Sequence, residues 1–82
     1  MHDNEVKTVE DALESLIVEN DRTLIEAIKQ ERMAAGNSSL EYYGRLKILF
    51  ERLLREKELP AETQRRLWKA IKAVTIMFGK DK

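Results

Sequence analysis

The sequence predicts an all-α fold, a four-helix antiparallel up-and-down bundle, and three observations carry that expectation. Apolar residues recur at steps of three and four along most of the chain, and no segment alternates apolar with polar residues as a half-buried strand does. One proline and three glycines stand in 82 residues of which 37% are charged, a balance that favours long solvated helices over a loop-rich fold. Start and stop signals, finally, divide the chain into four helical segments with short connections.

Thr8-Val9-Glu10-Asp11 reads as an N-cap followed by first-turn acids, so the polar stretch 1–7 is expected to fray and the first helix to cover about residues 8–19. Its apolar face is Val9, Leu13, Leu16 and Ile17. Glu19-Asn20-Asp21-Arg22 then interrupts the pattern. Thr23-Leu24-Ile25-Glu26 has the spacing of a capping box and opens a second helix over 23–35, with Leu24, Ile28 and Ala35 on its apolar side. The step of seven from Ile17 to Leu24 keeps helical phase, so one continuous helix over 8–35 is the alternative at this point. Gly36 sits where a helix end asks for a left-handed residue.

Ser38-Ser39-Leu40-Glu41 is a second capping box, opening a third helix over 39–57 with Leu40, Tyr43, Leu46, Phe50, Leu53 and Leu54 facing inward. Its solvent side carries the ion-pair spacings Glu41 to Arg45, Lys47 to Glu51 and Glu51 to Arg55, each worth about 0.2–0.5 kcal/mol. Gly44 inside this helix suits a close helix contact, and Tyr42 is expected exposed beside a buried Tyr43. Leu59-Pro60 starts the fourth helix, 61–78, whose stripe is Leu67, Ile71, Val74 and Phe78; residues 80–82 form a short tail. A third helix of about 28 Å against a first of about 18 Å predicts that the end carrying Leu54 and Leu59 projects past the first two helices.

Composition narrows the chemistry. A single small domain of this length buries only roughly 60–65% of its unfolded surface and has little room for an elaborate active-site cavity. No cysteine is present, which excludes thiolate and disulfide chemistry and fits a reducing compartment. No signal-peptide pattern and no bilayer-length apolar run occurs, so the expectation is a soluble cytoplasmic protein. Net charge is zero but polarised: residues 1–21 hold seven acids and one base, residues 22–82 fourteen bases and eight acids. The two parts either attract within the fold or leave the basic part facing an anionic partner.

Catalytic groups are poorly supplied. His2 is the only histidine and lies in the frayed start, the serines sit at cap positions without a base to activate them, and no glycine-rich phosphate loop occurs. The expectation is therefore no enzyme, no catalytic residue, no metal and no cofactor. A helix-turn-helix built from helices two and three is disfavoured, because both are long and the second opens with Glu41, which repels phosphate. What remains is a recognition face on the fourth helix: Arg65, Arg66, Lys69 and Lys72 surround Trp68, combining positive charge with a large rigid aromatic of the kind that anchors interfaces. The bland alternative for this face is a solvated helix surface with the indole packed at the bundle edge. Ile25, Ile48 and Ile76 fall off the main stripes and fit either a bundle flank or a self-association surface.

The segment from Gly36 to Gly79 also carries a family pattern. It reads Gly36-x-Ser38, Arg45-Leu46-x-Ile48, Leu59-Pro60, and Ala70-Ile71-x-x-Val74-x-Ile76-x-Phe78-Gly79. This resembles the immunity proteins of pediocin-like (class IIa) bacteriocins of lactic acid bacteria and streptococci, the enterocin A immunity-like group. Members have a Gly-x-Ser entry to helix three, an Arg-Leu or Arg-Met pair within it, and an ending like Ile-Arg-Tyr-Gly. Here that ending is Ile76-Met77-Phe78-Gly79, with Met77 in place of the arginine and Phe78 in place of the tyrosine. The resemblance implies a four-helix bundle in the cytosol, partly associated with the inner membrane face. It implies antimicrobial-peptide resistance by stoichiometric binding to the mannose phosphotransferase membrane subunits once a class IIa bacteriocin has engaged them, so that no pore forms. Specificity in the family is assigned to the C-terminal half. The expected contact residues are Arg65, Arg66, Trp68, Lys69 and Lys72, with Phe78 and Gly79 setting the helix end. The partner is a protein, with no nucleic acid, peripheral membrane contact left open and the oligomeric state open. The alternatives are a small helical adaptor or regulator of phage or plasmid type and, less favoured, a DNA-binding protein using the fourth helix.

Overall fold

The computed structural model describes residues 3–19 and 21–79, and among them the fold is the expected all-α four-helix bundle. The helices are α1 (Asp3–Val18), α2 (Arg22–Ala35), α3 (Ser39–Glu56) and α4 (Ala61–Gly79). Each packs on its sequence neighbours, and α4 returns to lie against α1, which closes the ring; α4 makes its most extensive contact there and α2 meets α1 least. His2 and the tail 80–82 lie outside the described residues.

The first helix starts five residues before the expected Thr8. Thr8 is no cap; its hydroxyl donates to the carbonyl of Asn4 at 2.8 Å, the back-bond of a residue inside a helix. The polar residues at 4, 5 and 7 masked Val6, which packs against the core one turn before Val9. Ala12 and not Ile17 completes the buried face with Val9 and Leu16; Ile17 is 53% exposed.

The break between α1 and α2 is real, so the continuous helix does not form, and its cause is Asp21. This residue is extended (φ −90°, ψ 111°), and its carboxylate accepts from the backbone N–H of Thr23 at 2.9 Å and of Leu24 at 3.4 Å. The cap is therefore two residues before the expected Thr23. At the next turn Ser38 caps α3 as expected, accepting from Glu41 N–H at 3.1 Å. The reciprocal half of the box is replaced: Ser38 N–H donates to Ala35 O at 3.2 Å, and the Glu41 carboxylate turns to Arg45. Gly36 between them has φ 61° and ψ −125°, outside the ordinary left-handed well but at a positive φ that suits glycine. Pro60 opens α4 with its carbonyl accepting from Gln64 N–H at 2.9 Å.

The core is built from all four helices. Phe50, Leu16, Leu46, Leu67, Met77, Val9 and Val74 are the largest fully buried side chains. Burying a side chain of this size stabilises the fold by about 1.5–3 kcal/mol relative to leaving it in water. Two stripe residues are displaced from the expected core. Leu40 is 47% exposed and Leu49 is buried in α3; in α4, Met77 is buried and Phe78 moves to the rim. Tyr42 and Tyr43 are both half-buried, with ring centroids 5.8 Å apart, and the Arg32 guanidinium of α2 lies over the Tyr42 ring at 4.9 Å. Burial is the main reason the Tyr42 phenol is pushed above its ordinary value.

The hairpin end does not project. Lys57, just past α3, donates to the Asp21 carboxylate at 2.8 Å, so the α1–α2 and α3–α4 turns are level. The longer α1 removes the length difference on which the projection rested, and Leu54 and Leu59 pack against the core.

Candidate functional site

Helical geometry sorts the seven predicted contact residues into three groups. At about 100° per residue, Arg65, Lys69 and Lys72 share the outward arc of α4. Trp68 lies on the same arc toward the α3 side. Arg66 is about 160° round from Trp68 and belongs to the α1 side. There it lines a shallow hollow of about 250 Å³ with Thr8, Asp11, Glu62 and Lys69. Phe78 and Gly79 stand about 15 Å further along the axis.

Electrostatics sorts them again. Glu62, one turn before the arginines, accepts from both: Arg65 Nη2 at 2.6 Å and Arg66 Nε at 3.2 Å. The Arg66 hydrogen bond first, and that of Arg65 second, holds the Glu62 carboxyl below its ordinary value. Two of the four expected cations are thus engaged within their own helix. The i, i+3 and i, i+4 spacings from Glu62 were legible in the sequence and pass unnoticed when cations alone are counted. Lys69 and Lys72 are exposed and have no hydrogen bond or ion pair with any described residue. Trp68 is 60% exposed and is not packed at the bundle edge.

Phe78 has a structural task. A Cβ built on Gly44 would lie 3.3 Å from Phe78 Cζ and 3.5 Å from Cε2, so glycine at 44 lets the ring settle on α3. The ring is still 37% exposed and borders an open groove with Leu40, Glu41, Gly44, Arg45 and Ile48. Gly79 is the last residue of α4, and a Cβ there would meet nothing within 4 Å. Ile76, which falls on the outward arc beside Lys69 and Lys72, is 39% exposed and joins the surface.

The candidate site is therefore narrower than expected: Trp68, Lys69 and Lys72 with Ile76, and Arg65 as a partly neutralised neighbour. Trp68, Lys69, Lys72 and Ile76 form a solvent-exposed helix face. Part of the charge polarity is met within the fold: Asp21 pairs with Lys57 at 2.8 Å, and Asp11 and Glu14 of α1 border the same hollows as Arg66 without closing an ion pair on it. Among the described residues no group of three or more His, Cys, Asp or Glu is placed to hold a metal ion, and no helix is long and apolar enough to cross a membrane. Comparison with family models, with curated proteins and with solved structures returns no match for this chain.

Proposed function

We propose that this chain is a bacteriocin immunity protein of the pediocin-like type, which protects its cell by binding the bacteriocin-engaged mannose phosphotransferase permease and keeping the complex from acting as a pore. In this reading it works from the cytoplasm, partly associated with the inner membrane face, and no bond is made or broken. The observation that carries the reading is the exposed indole of Trp68 beside two lysines without partners on α4, the helix that holds the family-like ending. An aromatic anchor with flanking cations supplies both contact area and electrostatic steering toward an anionic surface. The four-helix architecture and the Ser38 cap at the Gly-x-Ser entry agree with the same family. Expression in strains sensitive to a panel of class IIa bacteriocins tests it. The expected result is a raised inhibitory concentration for at least one peptide, and no protection against any of them would overturn it.

One observation favours the second reading, a small helical adaptor that docks on a cytosolic protein. Where the family carries arginine, Met77 is 2% exposed and belongs to the core, and the neighbouring Phe78 is held on Gly44. The polar ending of the family has no counterpart here. A pull-down that recovers a soluble partner and no permease subunit supports the adaptor; recovery of the permease subunits only with bacteriocin present supports immunity.

A further inference from the structure

The seam between α1 and α4 carries a second feature, apart from the outward arc of α4. Thr63 is 5% exposed and is the one buried polar side chain among the described residues. Its hydroxyl makes no hydrogen bond with any of them. The cause is local. Thr8 and Thr75 donate to the carbonyl four residues earlier, Asn4 at 2.8 Å and Ile71 at 2.9 Å, as threonines inside helices do. The equivalent carbonyl for Thr63 is that of Leu59, and the Gln64 side chain already donates to it at 2.7 Å. A buried hydroxyl left in this way is unfavourable unless a group from outside the chain satisfies it.

Thr63 borders an open hollow of about 260 Å³, together with Ser15 and Val18 of α1 and Arg66 of α4. Three carboxylates stand round the same hollow, Glu14, Glu19 and Glu62, against the one guanidinium. Glu62 is engaged by Arg65 and Arg66, whereas Glu14 and Glu19 make no ion pair with any described residue. The helix ends add to this sign. The positive pole of α4 is answered by Glu62 in its first turn, but α1 has no base in its last turn. Glu14, Glu19 and the closing carbonyls of α1 therefore all contribute negative potential at one end of the seam. Arg22, the next base along the chain, does not line the hollow. Val18, 75% exposed, forms an apolar wall beside the acids.

We infer that this hollow binds the cationic side chain of an arginine or lysine from a partner polypeptide. The N–H groups of that side chain donate to the Glu14 and Glu19 carboxylates and to the Thr63 hydroxyl oxygen, while its aliphatic stem lies on Val18. The buried hydroxyl gives the site a fixed acceptor, where surface acids alone would give only a diffuse field. The inference stands whether or not the immunity reading holds.

Titration of isotope-labelled protein, followed by amide NMR, tests it. The probes are the capped amino acids N-acetyl-arginine amide and N-acetyl-lysine amide, with N-acetyl-glutamine amide as the uncharged control and spermidine as a free polyamine. The expected result is a saturable shift confined to the amides of 14–19 and 61–66, of millimolar affinity for the two capped cations and absent with the control. Thr63→Val, which keeps the volume and removes the hydroxyl, loses that saturation while the circular dichroism stays helical. So does the double variant Glu14→Gln with Glu19→Gln. A response retained in Thr63→Val would overturn the proposal, as would one spread over Glu10 and Asp11 as over any acidic surface. No response to either capped cation up to about 50 mM would leave the hollow to water and overturn it too. Saturation by spermidine alone would overturn the assignment to a polypeptide side chain.

Discussion

Replacing Gly44 with alanine sets two opposing effects against each other at one position. Glycine in a helix interior is unfavourable by about 0.5–1 kcal/mol relative to alanine, so the substitution gains that amount from the backbone. Against it stands the new methyl, 3.3 Å from Phe78 Cζ, a few tenths of an ångström closer than ordinary contact. The ring can yield, because it is 37% exposed and stands at the penultimate position of α4. Losing two or three atom contacts at about 0.1–0.2 kcal/mol each costs roughly 0.2–0.6 kcal/mol. The balance is a stabilisation of about 0–0.8 kcal/mol, or a rise in Tm of about 0–6 °C for a domain of this size. Urea titration followed by circular dichroism measures it. In a Phe78→Ala background the whole backbone gain of about 0.5–1 kcal/mol should appear, since nothing else lies within 4 Å. A loss above about 1 kcal/mol that is equal in both backgrounds would refute this account of the Gly44–Phe78 contact.

The same substitution at Gly36 should act in the opposite direction: Gly36→Ala must adopt φ 61° with ψ −125° and is expected to cost about 1–3 kcal/mol by the same titration, although no atom obstructs the methyl. Leu46→Ala empties a fully buried site and should cost about 2–5 kcal/mol, a large share of the about 4–12 kcal/mol expected for 82 residues, read as a fall in the urea midpoint. The pH dependence follows from two carboxyls. Asp21 is held below 3.8 chiefly by the Lys57 hydrogen bond, then by the N–H groups of Leu24 and Thr23, and Glu62 below 4.5 by Arg66 and Arg65. Each binds fewer protons folded than unfolded, so its stabilisation is full above those unfolded values and is lost as pH falls through the lower folded ones. Denaturation at a series of pH values should therefore show a decline beginning near pH 4.5, reduced by salt because Glu62 is exposed and Asp21 is only half-buried. Asp21→Asn should flatten part of that decline.

The three- and four-residue spacing made the four helices legible, and the ends of α3 and α4 fall within a residue of the expected ones because Ser38, Gly36 and Pro60 are unambiguous signals. The start of α1 was hidden because Thr8 serves equally as a cap or as a helix residue bonded to Asn4, and only packing of Val6 decides between them. Asp21 was overlooked as a cap because a capping-box spacing beginning at Thr23 competed with it. At the candidate site, the sequence offered four cations around an indole. It did not show that Glu62 takes up two of them, since that depends on rotamers that spacing permits without requiring. Exposure of Trp68 was beyond reach from pattern alone: an aromatic beside a helix stripe either packs at the bundle edge or stands in water, and the registry of α4 between α1 and α3 selects the second.

The proposed docking role of α4 is tested most directly by Trp68→Ala, measured for stability and for protection in the same protein. Because the indole is 60% exposed, the urea midpoint should stay within about 0.5 kcal/mol of wild type, as for a surface substitution away from special features. Protection of a sensitive strain should fall to near the level of cells lacking the protein. Undiminished protection from a stably folded Trp68→Ala protein would contradict the account.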